Sequence, residues 1–229
     1  MATARHQLAG AGTQTAALAI GGYFAPTVQT AAVESWNGTS WTSGVSLPAA
    51  ERLLGANGTQ TATLTFGGSP DTTSSNKFNG TSWTSAGTLN TGRVGLAIGA
   101  AGTQTAGIAV GGDSPTTAVE SYNGTSWTTI SSTNTASDRR GTCGTQTLAL
   151  VFGGGYNPPV VGTTELYNGT SWTTNPTGLA TPRYSLAGAG TQTAGLAFAG
   201  ITAPGANSNS TEEWTGPSTT LNYKTLTTS

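Results

Sequence analysis

The chain has 229 residues, of which 8 are Lys or Arg and 9 are Asp or Glu, giving 7% charged residues and a net charge of -1. Globular domains carry about 25% charged residues. With 35% apolar residues the chain is no charge-rich disordered segment, and eight scattered basic residues make no footprint for nucleic acid. No window holds the roughly 18 apolar residues of a helical membrane span, and Met1 to Gly10 lacks the apolar stretch of a secretory signal. One cysteine permits no internal disulfide, and one histidine beside it gives no zinc ligand set. With 34 Gly and 46 Thr, the chain is rich in residues of strands and tight turns.

Repetition dominates the order of the chain. Gly-Thr-Gln-Thr begins at Gly12, Gly58, Gly102, Gly144 and Gly190, and Asn-Gly-Thr-Ser-Trp begins at Asn37, Asn79, Asn123 and Asn168. Between them lies a Gly-Gly pair at Gly21, Gly67, Gly111 and Gly153, with Ala199-Gly200 as the fifth copy. An arginine opens each unit: Arg5, Arg52, Arg93, Arg139 (with Arg140) and Arg183.

In the first unit, His6 to Gly12 predicts a Gly/Ala-rich strand ending at the Gly-Thr-Gln-Thr turn. Ala16 to Gly22 predicts a second strand, alternating with period two. Its large positions recur as Leu18 and Ile20, Leu64 and Phe66, Ile108 and Val110, Leu150 and Phe152, and Leu196 and Phe198. The positions between them are mostly small: Ala19, Thr65, Ala109, Val151 and Ala197. A third strand holds Glu34-Ser35-Trp36, Asn-Gly supplies the φ > 0 residues of a hairpin turn, and a fourth strand carries Trp41.

A four-stranded sheet of this size cannot bury both faces alone, whereas radially stacked sheets can. Periods of about 40 to 50 residues with four strands each indicate propeller blades. The expected fold is all-β, a single five-bladed β-propeller over 1–229 with four antiparallel strands per blade. The blades fall at about 1–47, 48–89, 90–133, 134–179 and 180–229. First and last blades are each contiguous in sequence, so the ring is expected to close by side-chain packing. Cys143 stands where Ala11, Ala101 and Ala189 stand and is read as a small buried filler.

The order of Arg5, Gly21-Gly22, Glu34-Ser35-Trp36-Asn37 and Trp41 resembles the kelch repeat, whose β-propellers include galactose-oxidase-type enzymes. The third-strand aromatic recurs as Phe78, Tyr122, Tyr167 and Trp214, and the fourth-strand Trp as Trp83, Trp127 and Trp172. The wording Asn-Gly-Thr-Ser-Trp-Thr and Ala-Gly-Thr-Gln-Thr-Ala, with the closing Thr211-Glu212-Glu213-Trp214, is also similar to kelch-like arrays in marine bacteriophage structural proteins. The resemblance spans essentially the whole chain and implies a virion or extracellular location. It departs at Asn76, where the other units have Glu34, Glu120, Glu165 and Glu212, and in the fifth unit, which has no Trp after its turn. Copper chemistry of the galactose-oxidase kind needs His and Tyr ligands, and a single His does not supply them. No cofactor and no catalysis are expected.

Function is expected on loops. The strand 2–3 and inter-blade loops differ in every copy and form the candidate recognition face; the near-constant opposite face would instead offer several equivalent weak sites. On the varied face, Tyr23, Phe24 and Tyr156 occur once each and are the aromatic ligand-contact candidates. Arg5, Arg52, Arg93, Arg139 and Arg183 either ring the channel mouth and bind an anion or sugar hydroxyls, or pair with third-strand glutamates and lock blades. Trp41 and its equivalents either stack on sugars or cover the outer blade edge. Asp71, Asp113 and Asp138 read as solvent-exposed turn residues, with a Ca²⁺ site as the other reading. The expected role is non-catalytic recognition of a surface glycan or a protein receptor, the alternative being a structural or assembly module among virion proteins. Neither nucleic acid nor membrane insertion is expected.

Overall fold

The computed structural model describes residues 1, 3–24, 28–69, 73–96, 101–112, 116–156, 159–216 and 223–226. They are all-β, with no helix. Four repeats form four-stranded antiparallel sheets in sequential order. The first sheet comprises Ala9–Gly12, Ala17–Ile20, Val33–Trp36 and Trp41–Ser43. The second comprises Gly55–Thr59, Ala62–Phe66, Ser74–Phe78 and Trp83–Thr88. The fourth has Gly141–Gly144, Ala149–Phe152, Thr164–Tyr167 and Trp172–Asn175. The fifth has Ala187–Gly190, Gly195–Phe198, Thr211–Trp214 and Tyr223–Leu226. The third shows Gly107–Val110, Val119–Tyr122 and Trp127–Ile130; residues 97–100, which fall in its expected first strand, lie outside the described residues.

The period-two pattern does what its residue sizes require. Leu18, Ile20, Leu64, Phe66, Ile108, Val110, Leu150 and Phe152 are buried, and so are the small positions Ala19, Thr65, Ala109, Val151 and Ala197 between their kind. Both faces of the second strands in the first four sheets are therefore covered, which one isolated sheet cannot achieve. The large residues reach the following sheet at its glycines. A Cβ added at Gly107 would lie 3.0 Å from the Leu64 side chain, and one at Gly195 would lie 3.2 Å from that of Leu150. Cys143 is fully buried, as a small filler should be, and desolvation pushes its thiol pKa up to about 12.

The Asn-Gly turns differ from the expected tight hairpin. Gly38, Gly80, Gly124 and Gly169 have φ of 93°, 94°, 94° and 91°, but the preceding asparagines do not have positive φ. The loop is four residues long: Asn37 N–H donates to the Ser40 oxygen, and Asn37 Oδ1 accepts from the N–H groups of Thr39 and Ser40. The asparagine side chain thus satisfies the turn's amides. Across each turn the aromatic pair packs ring to ring, as with Phe78–Trp83 at 4.8 Å and Tyr167–Trp172 at 4.9 Å.

Successive sheets are joined by the same few bonds each time. The glutamine of each Gly-Thr-Gln-Thr turn reaches back to two main-chain oxygens of the preceding sheet. Gln60 donates to Ala17 and Trp36, Gln104 to Thr63 and Phe78, Gln146 to Gly107 and Tyr122, and Gln192 to Ala149 and Tyr167. Three fourth-strand indoles also bond to the preceding repeat. Trp83 donates to the Val45 oxygen, Trp127 to Ser75 Oγ and Trp172 to the Ser131 oxygen.

At the other end of the sheets, the Gly-Gly pair meets the linker that opens the following repeat. Gly22 N–H donates to Glu51 O, Gly68 to Arg93 O and Gly154 to Arg183 O. A Cβ on the leading glycine would lie 2.5 Å from Glu51 O at Gly21, 2.7 Å from Arg93 O at Gly67, 2.6 Å from Ser137 O at Gly111 and 2.5 Å from Arg183 O at Gly153. This close approach, together with φ of 62–68° at all four, is what the repeat needs glycine for.

Candidate functional site

Five linker residues share one backbone conformation. Gln7, Leu53, Gly95, Arg139 and Ser185 have φ of 57°, 55°, 67°, 48° and 51°. They hand a hydrogen bond from sheet to sheet: Leu53 N–H to Gln7 O, Gly95 to Leu53, Arg139 to Gly95 and Ser185 to Arg139, at 2.8–3.1 Å. The fifth link, from Gln7 N–H to Ser185 O, is not formed among the described residues.

The joint between the last and first sheets differs throughout. Gln14, the first repeat's counterpart of Gln60, is exposed, and its side chain has no hydrogen bond among the described residues. Leu196 is 37% exposed and Phe198 half-buried, although their counterparts in the other four sheets are buried. A crevice of about 470 Å³ runs between Gly10, Gly12 and Ala17 of the first sheet and Ala187, Gly190 and Phe198 of the last.

A second cavity, of about 450 Å³, opens at the linker end of this joint. His6, Gln7 and Leu8 line it from the first repeat, Leu53 and Arg139 from the linkers, and Ser185, Ala199 and Ser208 from the last repeat. Ligand sites of about 300–1,000 Å³ with mainly apolar walls and a few convergent polar groups are usual. Arg139 is the charged residue in this lining.

The arginines divide into two kinds. Arg5, Arg93 and Arg183 are buried and pair with Glu34, Glu120 and Glu212 of their own repeats, Arg5 to Glu34 at 2.5 Å. In the fourth repeat the pairing arginine is Arg140, 2.9 Å from Glu165. The second carboxylate oxygen ties down the arriving linker: Glu120 accepts from Asn90 N–H, Glu165 from Asn134 and Glu212 from Ala180. These pairs pin each linker to its sheet and present no guanidinium to a ligand. Five arginines ringing one channel mouth are therefore not what the chain builds.

Arg52 and Arg139 sit elsewhere. In the second repeat Glu51 holds the backbone place of Arg5 and Asn76 that of Glu34, so this repeat lacks the pair. Glu51 is buried, its pKa is raised by desolvation, and a hydrogen bond from Ser74 Oγ lowers it in part. Arg52, half-buried, bonds Gln7 Oε1 at 2.8 Å and stacks over Tyr23 at 4.8 Å. Tyr23 in turn meets the His6 ring edge-on at 5.4 Å. Arg139 stacks over Tyr156 at 3.6 Å, and Tyr156 meets Tyr184 edge-on at 5.6 Å. No protein-family model matches this chain, and no curated protein does.

Two arginine–aromatic clusters thus flank the cavity on linker and strand 2–3 loops. Phe24 is half-buried in the short strand Tyr23–Phe24, paired with Val28–Gln29, and does not line the cavity. Asp138 is fully buried rather than a solvent-exposed turn residue. Its Oδ1 accepts from Tyr156 N–H, and its Oδ2 lies 3.9 Å from Arg139 Nε, so it positions the Arg139–Tyr156 stack. Asp71 and Asp113 lie outside the described residues. Among the described residues no three His, Cys, Asp or Glu side chains gather as metal ligands. His6, Ser185 and Ser208 carry no signal in the sequence, because a lone His and ordinary serines form no pattern until linker and loop meet.

Proposed function

We propose that this chain is a five-bladed, kelch-like β-propeller serving as a non-catalytic recognition module on a virion or cell surface. Its ligand is a glycan or similar surface polymer, held at the cavity between first and last blades. The observation that carries this reading is the Arg139–Tyr156 stack beside a loop-lined cavity. A planar cation on an exposed aromatic ring offers both hydrogen-bond donors and an apolar face, the pairing that sugar rings use. Four other arginines are spent on buried pairs, so this one is retained for a different purpose. Purified protein on a glycan array should bind a defined subset of glycans, and Tyr156→Ala should remove most of that binding while leaving the fold intact. Uniform absence of binding at high ligand density would sink the proposal.

One observation favours a second reading, an assembly module without a ligand. The face of exposed Leu196 and half-buried Phe198 has the pattern that the first sheet of a second copy would cover. Concentration-dependent self-association abolished by Leu196→Arg, with a silent glycan array, would favour it.

A further inference from the structure

Four joints show what closure consists of, and the fifth is built so that it does not close in that way. Each closed joint needs a leading glycine because a following carbonyl comes within 2.5–2.7 Å of where a Cβ would be. The fifth copy has Ala199, at φ 59°, in place of that glycine. Brought to the same geometry, its methyl group would collide with the Arg5 carbonyl. The alanine thus disfavours that close approach of first and last linkers, and it lines the cavity between them.

That separation leaves two main-chain groups without their usual partners. Gln7 N–H has no acceptor and Ser185 C=O has no donor among the described residues, and both residues line the cavity. At the four other joints the partner is a peptide group. A ligand that completes the circle must offer a carbonyl oxygen to Gln7 and an N–H to Ser185, which is the chemistry of a secondary amide. Leu8 and Leu53 supply an apolar wall for a methyl group on that amide. Asn207 and Ser208 supply polar side chains at the same cavity.

Resting on the recognition reading above, we propose that the cavity binds an N-acetylated amino sugar. The acetamido group bridges Gln7 N–H and Ser185 C=O, and the ring hydroxyls face Asn207, Ser208 and Arg139. A peptide backbone has the same amide, but the polar side chains at the cavity and its confined volume favour a single ring with its acetyl group over an extended chain.

The test titrates ¹⁵N-labelled protein with N-acetylglucosamine, glucosamine, glucose and N-acetylalanine methylamide, following the Gln7 amide and affinity by calorimetry. The expected result is a saturable Gln7 shift with N-acetylglucosamine and at least tenfold weaker binding of glucose and glucosamine. Ala199→Phe, which fills the cavity, should abolish the shift, with folding checked by the unchanged remainder of the spectrum. Because the Gln7 resonance is read on the unmodified chain, failure of the variant to fold does not remove the test. Equal binding of glucose and N-acetylglucosamine, or sugar binding that leaves Gln7 unmoved, overturns the amide proposal while leaving glycan recognition standing. Binding of the peptide amide alone overturns the sugar assignment, and binding of none of these overturns the proposal outright. A silent glycan array would be needed to discard recognition as well.

Discussion

The side-chain amide of Gln60 donates to the main-chain oxygen of Trp36 at 2.6 Å, across the boundary between two repeats. The same amide also holds Ala17 O at 3.1 Å, so one side chain satisfies two carbonyls at the open end of the neighbouring second and third strands. Gln104, Gln146 and Gln192 do likewise, and Gln14 does not. The repeat therefore carries its joint with it, directed backwards along the chain.

Replacing Gln104 by Ala should cost about 1–3 kcal/mol, two hydrogen bonds at about 0.5–1.5 kcal/mol each, and Gln146→Ala at least as much, since Gln146 also bonds Ser121 Oγ. Gln14→Ala should stay within about 0.5 kcal/mol, as for an exposed surface change. Urea denaturation of the three variants measures this; a cost at Gln14 equal to that at Gln104 would show that the fifth joint is clasped in solution.

Arg93 and Arg52 should part company in the same assay. Removing one partner of a buried ion pair costs about 3–5 kcal/mol, because the other charge is left buried alone. Arg93→Ala leaves Glu120 in that position, whereas Arg52→Ala loses a half-buried contact with Gln7 and Tyr23 and should cost about 1 kcal/mol or less. Similar losses for both would contradict the division of the arginines.

Glu51 gives a pH dependence of defined sign. Its folded-state pKa is raised above 4.5 by desolvation, so folding favours the protonated form. Its stabilising contribution is fully present below pH about 4.5 and falls away as pH rises through the raised folded value. Glu51→Gln removes that titration and can keep the Ser74 hydrogen bond. The variant should be more stable than the parent at pH 7, with the difference shrinking on acidification. A parent that is the more stable at pH 7 would refute the assignment.

Cys143 should resist alkylation by iodoacetamide at pH 8 in the native protein and react at once in denaturant. Its thiol is fully buried and its pKa lies at about 12, so little thiolate exists to react. Rapid native-state labelling would place the residue at a surface.

The sequence alone determines the local order of this protein. Period-two alternation selects the large positions from Leu18 to Phe152, Asn-Gly-Thr-Ser marks the turn, and the recurring Gly-Gly announces a close backbone approach. These features depend on residues a few positions apart, so they can be read from neighbours. What approaches the glycine cannot. The carbonyls of Glu51, Arg93, Ser137 and Arg183 come from the next repeat, and only then does Ala199 mean an open joint. The tertiary structure likewise decides which arginine is buried. The paired residues in the fourth repeat are Arg140 and Glu165, while Arg139, at the linker position that Leu53 and Gly95 hold in their repeats, stacks on Tyr156 instead. Sequence spacing fixes the strands because backbone geometry is local. The site arises where first and last repeats face one another, a relation between residues about 180 positions apart that no local pattern encodes.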